Sequence, residues 1–333
     1  MSKFKKIIIT LLCFLIAIPL FVFGYTYYKL NSIQRKDTNY TSKIDEVDGI
    51  TNILLTGTDA RPGESASRTD SMIILTIDNT NKSVKLTSLA RDTYVQLPGR
   101  SPGKLNTAYF WGQEAMLFET IEDEFGIRMD KIIQVDFDAL MSIVDVLGGV
   151  EVNVPENNLA EINKYAKECY DLYDSPSKGT YQQITSAGKQ TLNGYQALGF
   201  ARVRKVDSAI ARDDRQKEIL VSIGEKAKSI SVTKYPQLLN SLLSYVKTNI
   251  DSSELLKLGV TALGILNEGN SIKTAEFPII DNVHVKGGIY NNAGWVWLYD
   301  KNSTVVLQDF IYKNIDMEDN DYLKDNSNIQ LNY

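Results

Sequence analysis

Two aspartates flank a polar loop between two apolar runs near residue 60. Asp59 follows the run Ile53–Leu55, and Asp70 precedes the run Met72–Ile77. Because both runs predict strands, the loop brings two carboxylates to one end of a strand pair. Mg²⁺ is usually held by one or two carboxylates together with water and phosphate oxygens. The pair therefore predicts a site for Mg²⁺, or for Mn²⁺ in its place. Turn chemistry is the open alternative, since Asp favours loops and caps.

A second segment places opposite charges directly after an alternating run. Val84–Leu89 alternates apolar and polar side chains, which is the period of a half-buried strand, and Arg91 and Asp92 follow it. An arginine at a strand end suits an anionic ligand, because its planar guanidinium binds phosphate oxygens through two hydrogen bonds. A surface ion pair between Arg91 and Asp92 is the alternative interpretation.

The densest basic segment spans residues 200–217, which hold six basic and three acidic residues. Its first part predicts a strand, in which Arg202 and Arg204 project from the same face. Its second part enters a predicted helix, in which Arg212 and Gln216 are four residues apart and share a face. Ion pairs with the neighbouring aspartates are the alternative to an anion site. Taken with the aspartates near residue 60, these arginines favour binding of a pyrophosphate with Mg²⁺.

The charge balance excludes several classes of function. The chain has 36 basic and 41 acidic residues, and six of the basic ones lie in residues 1–36, which contain no acid. The remainder therefore has 30 basic residues against 41 acidic ones, a net charge of −11, which argues against nucleic acid as a partner.

One histidine and two cysteines are too few for a Cys/His zinc site. The glycines near residue 60 lack the Gly-Lys-Ser/Thr of a Walker A loop, so ATP is a poor candidate.

The N-terminus carries an apolar segment, Ile7 to Tyr28, which three lysines precede. In a helix its length is roughly 33 Å, enough to cross the hydrocarbon core of a bilayer. The lysines predict a cytoplasmic N-terminus and an extracellular body. A cleaved signal peptide is the alternative, although no Ala-x-Ala site follows. The expected organisation is a cytoplasmic stub at 1–6, a single-pass signal anchor in the cell membrane at 7–28 and a polar linker at 29–48. Outside the membrane, the abundant pyrophosphates are lipid-linked glycans.

Strand and helix patterns alternate without a clear linker after residue 48. Beyond the runs above, strands are predicted at 131–137, 150–154, 200–206, 272–278 and 295–298. Helices are predicted at 115–125, 139–147, 186–198, 213–230, 236–246 and 252–266. This alternation predicts one α/β domain, residues 49–315, with a mixed central β-sheet flanked by helices on both faces. Residues 316–333 are acidic and rich in asparagine, which predicts a disordered tail.

Taken in order, these motifs resemble the LytR-CpsA-Psr family of Gram-positive envelope proteins. The resemblance is dense from about residue 50 to 220 and continues more weakly to about 315. Besides the apolar N-terminal segment, the matching motifs are Gly57-Thr58-Asp59-Ala60-Arg61, Arg68-Thr69-Asp70-Ser71-Met72, Ser88-Leu89-Ala90-Arg91-Asp92-Thr93, Gly103-Lys104-Leu105-Asn106, Val144-Asp145, Leu147-Gly148-Gly149-Val150, Leu192-Asn193-Gly194, Gln196-Ala197-Leu198, Phe200-Ala201-Arg202-Val203-Arg204, and Arg212 with Arg215-Gln216. One departure is Ala90, where many members carry proline.

The resemblance implies an α/β/α sandwich and a phosphotransferase. Such an enzyme moves a glycopolymer from a polyprenyl-pyrophosphate carrier to peptidoglycan, usually to the C6 hydroxyl of N-acetylmuramic acid, and releases polyprenyl phosphate. By the same resemblance, Asp59 and Asp70 are Mg²⁺ ligands and Arg91 is a catalytic residue. Asp92 is near enough to Arg91 in sequence to orient it. The implied residues around the pyrophosphate are Arg68, Lys104, Arg202, Arg204, Arg212 and Gln216.

Two other functions use the same residues and stay open at the level of sequence. A non-catalytic binder would hold lipid-linked glycans for another enzyme. A hydrolase would release the carrier without a glycan acceptor. The identity of the polymer also stays open, since teichoic acid, capsule and other wall polysaccharides all fit the implied chemistry.

Overall fold

The computed structural model describes residues 24–58, 69–173, 178–203, 209–229, 246–281, 283–324 and 329–332. Residues 7–23 of the predicted anchor lie outside these ranges, and the helical residues 24–30 are the first ones described. Within the described ranges, every helix is too short or too polar to cross a bilayer.

The chain alternates strands and helices as its apolar pattern predicts. The strands are β1 (Gln34–Arg35), β2 (Ile50–Thr58), β3 (Thr69–Asp78), β4 (Ser83–Leu89), β5 (Tyr94–Val95), β6 (Gly103–Lys104), β7 (Ile132–Val135), β8 (Val150–Val154), β9 (Gly188–Leu192), β10 (Val246–Thr248), β11 (Ile272–Phe277), β12 (Val285–Ile289) and β13 (Trp295–Tyr299). After the helical residues 24–30, the α-helices of the described ranges are α1 (Leu105–Phe125), α2 (Phe137–Val146), α3 (Leu159–Leu172), α4 (Gly194–Arg202), α5 (Ala209–Ser229), α6 (Ser252–Asn267) and α7 (Thr304–Lys313).

Seven of the described strands form one mixed sheet, in the order β1-β10-β7-β2-β3-β4-β11. β2 pairs in parallel with β7 and antiparallel with β3. β4 pairs antiparallel with β3 and in parallel with β11. Consequently β2, β4, β7 and β11 all run in one direction, and their carboxyl ends lie along the same edge of the sheet.

Apolar side chains on the two faces of the sheet belong to two separate cores. On one face, Leu54 and Ile74 pack with residues of α1 and α7, among them Phe118 and Phe310. On the other face, Ile53 packs with residues that include those of α6. Because successive side chains of a strand point to opposite faces, neighbouring residues such as Ile53 and Leu54 serve different cores. Helices therefore flank the mixed sheet, as the sequence predicts.

The segment from 186 to 206 differs from its prediction. A helix was expected at 186–198, but residues 188–192 form β9, which pairs with β8. A strand was expected at 200–206, but Phe200–Arg202 is the last turn of α4, and residues 204–208 lie outside the described residues. α4 begins with a capping box, in which Asn193 and Gln196 each accept a backbone N–H of the other. Because this cap starts a helix at Gly194 that continues to Arg202, residues 200–202 are helical although the sequence from Phe200 alternates like a strand.

Both ends of the described chain pack more closely than their composition predicts. In the predicted linker, β1 pairs with β10, and the Tyr40 hydroxyl donates a hydrogen bond to Glu122 Oε2 at 2.7 Å. In the predicted disordered tail, Met317–Asp319 and Asp321–Lys324 form 3₁₀ turns. Asn332 is buried and accepts a hydrogen bond from the backbone N–H of Tyr299 at 2.7 Å. The described part of the tail is thus packed against the domain, because the Asn332 side chain bonds to its backbone and the Asn320 side chain donates a hydrogen bond to Asp309 at 3.0 Å.

Candidate active site at the carboxyl edge of the sheet

The described parts of the predicted segments near residues 58, 69 and 90 lie at one edge of the sheet. The carboxyl ends of β2, β4 and β11 lie at this edge, and β3 begins there because Thr58 pairs with Thr69. Backbone hydrogen bonds hold the turn that follows β4: the N–H of Ala90 donates to the carbonyl of Phe277 at 2.8 Å, and that of Thr93 donates to the carbonyl of Ala90 at 3.0 Å. A proline at position 90 would have no N–H for the first of these bonds.

Arg91, Asp92 and Lys104 form one charged cluster at this edge. Arg91 Nε lies 3.3 Å from Asp92 Oδ2, and Lys104 Nζ lies 2.7 Å from Asp92 Oδ1. All three side chains are partly exposed, at 24% for Arg91, 14% for Asp92 and 27% for Lys104. One carboxylate thus holds two cations beside solvent, which leaves them able to meet an anion.

Arg212 and Asp213 form a buried ion pair on α5. Arg212 is 2% exposed, and its Nη2 lies 2.7 Å from Asp213 Oδ1. Burial raises the pKa of Asp213, and the positive charges of Arg212, Arg91 and Lys217 oppose that rise. The opposing effect of Arg91 means that α5 brings this pair close to the cluster of Arg91, Asp92 and Lys104.

A further acidic residue, Glu276, lies at the end of β11 near this pair. It is paired in register with Ser88 of β4, and its Oε2 is 3.9 Å from Lys217 Nζ. Burial raises the pKa of the Glu276 carboxyl to about 7; Lys217 opposes the rise, and the negative charges of Asp213 and Asp214 add to it. Glu276 was not among the predicted site residues. The available signal was a charged residue within the apolar run at 272–278.

An apolar cavity of about 180 Å³ lies on the sheet face that α2 and α5 cover. Its wall includes Leu55, Ile73, Leu140 and Ile223, and Gln216 contributes to the lining. Gln216 is one turn after Arg212 on α5, so the two residues share a face of this helix. The predicted helical spacing of Arg212 and Gln216 is therefore confirmed, and it brings the amide of Gln216 to the wall of the apolar cavity.

Arg202 has a different environment from the one expected of a strand residue. It ends α4, donates a hydrogen bond from Nη2 to Glu168 Oε1 at 3.1 Å and lies over the ring of Phe137, 5.3 Å from its centre. Phe137 also lines the apolar cavity. Arg202 thus contacts both Phe137 of the cavity wall and Glu168 of α3, and it lies at the end of a helix instead of on a strand face.

Four predicted site residues are incompletely described. Asp59, Arg68 and Arg204 lie outside the described residues, and Asp70 is described only as a backbone position of β3. Among the described side chains, no three His, Cys, Asp or Glu residues come together as a metal site. The predicted pair Asp59 and Asp70 therefore stays a prediction.

Two of the matching motifs have structural roles. Asp145 Oδ1 accepts a hydrogen bond from the backbone N–H of Gly194 at 2.7 Å, which ties α2 to the start of α4. A Cβ on Gly194 would approach the carbonyl of Met141 to 2.4 Å, so only glycine fits this crossing. These residues hold α4, and through it the neighbouring arginine segment, against α2.

Known proteins resemble this chain in sequence and in fold. The LytR_cpsA_psr family model matches residues 21–310. The chain is 28% identical over 309 residues to the polyisoprenyl-teichoic acid–peptidoglycan teichoic acid transferase TagT of Bacillus subtilis, covering 88% of each chain. It is 31% identical over 271 residues to the corresponding TagU of Oceanobacillus iheyensis, covering 76% of this chain and 77% of that one. The fold is similar to that of the family protein YwtF (TagT) with bound octaprenyl pyrophosphate lipid, with a TM-score of 0.57, 21% identity, and coverage of 82% and 94%.

Proposed function

The chain belongs to the LytR_cpsA_psr family, and from this premise we propose that it is a transferase of lipid-linked glycopolymers. Its donor is a glycopolymer on a polyprenyl-pyrophosphate carrier, and its acceptor is peptidoglycan. The product is a phosphodiester on the C6 hydroxyl of N-acetylmuramic acid, and the released molecule is polyprenyl phosphate. The names of the relatives TagT and TagU favour teichoic acid over capsule as the polymer.

One observation carries this proposal: a cationic cluster lies at the carboxyl edge of the sheet, and an apolar cavity on one face of the sheet reaches the same edge at Gly57 and Ser71. Arg91, Lys104 and Arg212 supply positive charge, and the cavity lined by Leu55 and Ile73 offers an apolar surface. A polyprenyl pyrophosphate has the matching construction, with a dianionic or more highly charged head on an apolar chain. Gln216 contributes an amide to this apolar lining, and in this proposal it donates a hydrogen bond to the head group.

The chemistry follows from this arrangement. The acceptor oxygen bonds to the sugar-side phosphorus while the bond from that phosphorus to the oxygen of polyprenyl phosphate breaks. The hydroxyl loses its proton to solvent water, and polyprenyl phosphate departs as an anion that needs no proton. Arg91 and Lys104 stabilise the negative charge that builds up during this in-line displacement. Asp92 restrains both cations, so they need little reorganisation when the charge develops.

We also propose that Asp59 and Asp70 hold Mg²⁺, with Mn²⁺ as a substitute. The described backbone fits this assignment, because the pairing of Thr58 with Thr69 brings the two ends of the intervening loop together. Thr69 Oγ1 is buried there without a hydrogen-bond partner among the described residues. Oxygen ligands of this kind suit a hard divalent cation. When bound, the ion would neutralise phosphate charge.

The same proposal includes an anchor at residues 7–28 in the cell membrane, a cytoplasmic N-terminus and an extracellular catalytic domain. The apolar sequence of this segment and its three preceding lysines support the topology. An anchored domain would meet a polyprenyl carrier at the bilayer surface, where the carrier's chain is held.

The decisive experiment follows release of polyprenyl phosphate from a short-chain polyprenyl-pyrophosphate disaccharide. The full-length protein is used in detergent micelles with Mg²⁺, with and without uncross-linked peptidoglycan oligomers. We expect release that requires the oligomers and yields a phosphodiester product. Release at the same rate without oligomers would assign the protein as a hydrolase. Tight binding of the lipid without release under either condition would assign it as a non-catalytic binder.

A further inference from the structure

A second, larger space opens beside Arg91, away from the apolar cavity. This open cleft has a volume of about 710 Å³, and its lining includes Arg91, Lys104, Asn106, Trp111 and Asn292. The cavity is lined mainly by apolar side chains, whereas the cleft presents amides, hydroxyls and cations. The cleft therefore suits a polar ligand and not a hydrocarbon chain.

One wall of the cleft is an exposed aromatic group. Trp111 is 51% exposed, and its ring packs edge-to-face with Phe110 at 4.9 Å between ring centres. The guanidinium of Arg100 lies over the indole at 4.2 Å. Arg100 covers one face of the indole, and the remaining exposed surface of Trp111 offers apolar contact to a ligand.

The backbone of α1 is distorted where it presents this tryptophan. Gly112 has φ −139° and ψ 18°, and Gln113 has φ 53° and ψ −144°, although both lie within the helix bounds. A positive φ at a non-glycine residue inside a helix is unfavourable. The distortion interrupts the helix directly after Phe110 and Trp111, and it thereby sets the direction of the first two turns of α1 relative to the rest.

Asn106 supplies a polar group at the base of the cleft. It is 5% exposed, and its Oδ1 is buried without a hydrogen-bond partner among the described residues. Its backbone N–H donates to the carbonyl of Arg91 at 3.1 Å, which ties it to the catalytic turn. A buried carbonyl oxygen without a donor is costly, and a ligand hydroxyl or amide N–H would remove that cost.

The cleft and the cavity lie on opposite sides of the sheet. α1, which lines the cleft, packs on the face that bears Leu54 and Ile74. The cavity is lined by Leu55 and Ile73, the adjacent residues, which face the other way. An in-line displacement needs the nucleophile and the leaving group on opposite sides of phosphorus. With the polyprenyl chain in the cavity, the nucleophile enters from the cleft.

We propose that this cleft is the subsite for the acceptor, a peptidoglycan glycan strand, with a sugar ring packed on Trp111 and an acetamido or hydroxyl group bonded to Asn106. This inference rests on the proposed transferase function. The apolar C–H face of a pyranose ring matches the indole, and the amides of Asn106 and Asn292 match its polar edge. An open cleft also admits a polymer whose ends extend into solvent.

The test compares the Trp111→Ala variant with the wild type and with Trp295→Ala, a matched control. Trp295 is 43% exposed and packs against Trp297 at 4.6 Å, and it is not among the residues lining the cleft. Full-length protein is titrated calorimetrically with uncross-linked peptidoglycan oligomers in the absence of donor. We expect the Kd to rise about tenfold or more for Trp111→Ala, less for Trp111→Phe, and less than about twofold for Trp295→Ala.

Steady-state transfer then separates the two substrates. We expect Trp111→Ala to raise the KM for the oligomers and to leave the KM for the lipid donor unchanged. A raised donor KM with an unchanged acceptor KM would assign the cleft to the donor's sugars and overturn the proposal. Equal oligomer binding by the wild type and Trp111→Ala would also overturn it. Because calorimetry needs no turnover, a failure of the transferase function alone would leave the binding difference visible.

Discussion

Replacing Arg91 tests the proposed chemistry most directly. In Arg91→Ala, Asp92 keeps Lys104 at 2.7 Å but loses its second cation at 3.3 Å, and the turn after β4 keeps its backbone hydrogen bonds. The fold should therefore persist, while one positive charge disappears from the cluster. We expect a lower kcat with little change in the KM for the acceptor, since the guanidinium acts mainly on charge that develops in the transition state.

The size of the effect follows from the exposure of the side chain. Two unit charges about 4 Å apart interact with about 4 kcal/mol at an effective dielectric constant near 20. Arg91 is 24% exposed, so solvent screens part of this interaction. Removal of a single transition-state donor typically costs about 2.7–4 kcal/mol. We expect the lower end of this range, a loss in kcat of about 10²-fold. Arg91→Lys keeps the charge without the planar fork, and we expect a loss of about tenfold.

The assay measures polyprenyl phosphate release at saturating donor and acceptor. Arg128→Ala is the matched control, because Arg128 is 21% exposed and binds Asp130 at 2.6 Å near the opposite edge of the sheet. We expect Arg128→Ala to keep its rate within about twofold, on the scale of surface ion pairs. An Arg91→Ala rate close to that of the wild type, in a protein that unfolds at the same urea concentration, would refute the assigned role of Arg91.

Three further predictions address the metal, the cavity and the buried carboxyl. Dialysis of the wild type against EDTA should lower turnover by about 10²-fold or more, and so should the variant Asp70→Asn. Added Mg²⁺ should restore turnover of the dialysed wild type but not of the variant. Unchanged turnover after either treatment would reject the metal site. Leu140→Trp should narrow the cavity and raise the KM for the donor about tenfold. The control is Leu172→Trp, because Leu172 is exposed and lies outside the cavity lining. Equal donor KM values for the two variants would reject the cavity as the lipid site. Glu276 ionises near pH 4.5 when unfolded and near pH 7 when folded, so the folded protein binds the proton more tightly and loses stability as the pH rises across that window. Glu276→Gln should therefore raise the free energy of unfolding by about 3 kcal/mol at pH 8 and by much less at pH 4. Urea titrations at the two pH values would measure the difference, and equal effects at both would contradict the raised pKa.

The central sheet could be predicted from sequence because its strands have strong, short-range signals. The alternation in Val84–Leu89 and the apolar runs near 53 and 72 each correspond to an observed strand. The segment from 200 to 206 could not be predicted from alternation alone. There the Asn193–Gln196 cap and the buried contacts of Phe200 determine a helix, although both period-two and helical patterns fit the residues.

The charged half of the site could also be anticipated, but its surroundings could not. Arg91 and Asp92 are adjacent in sequence, and Lys104 reaches them because β6 pairs with β5. Asn106 belongs to a matching motif without an assigned role, and Trp111 and Glu276 give no comparable signal. Their relevance depends on the interrupted helix at Gly112 and Gln113, and on a parallel pairing between β4 and β11 that joins residues far apart in the chain. Such features follow from tertiary packing, which no local pattern encodes.

The placement of the cavity and the cleft on opposite faces has a consequence for the order of the reaction. Donor and acceptor enter by separate openings, so neither has to leave before the other binds, and a ternary complex forms. Transfer then needs no covalent enzyme intermediate. Double-reciprocal plots at several fixed donor concentrations would intersect instead of running parallel. Polyprenyl phosphate would compete with the donor and not with the acceptor. Accumulation of polyprenyl phosphate in the bilayer would therefore slow transfer without lowering the binding of peptidoglycan.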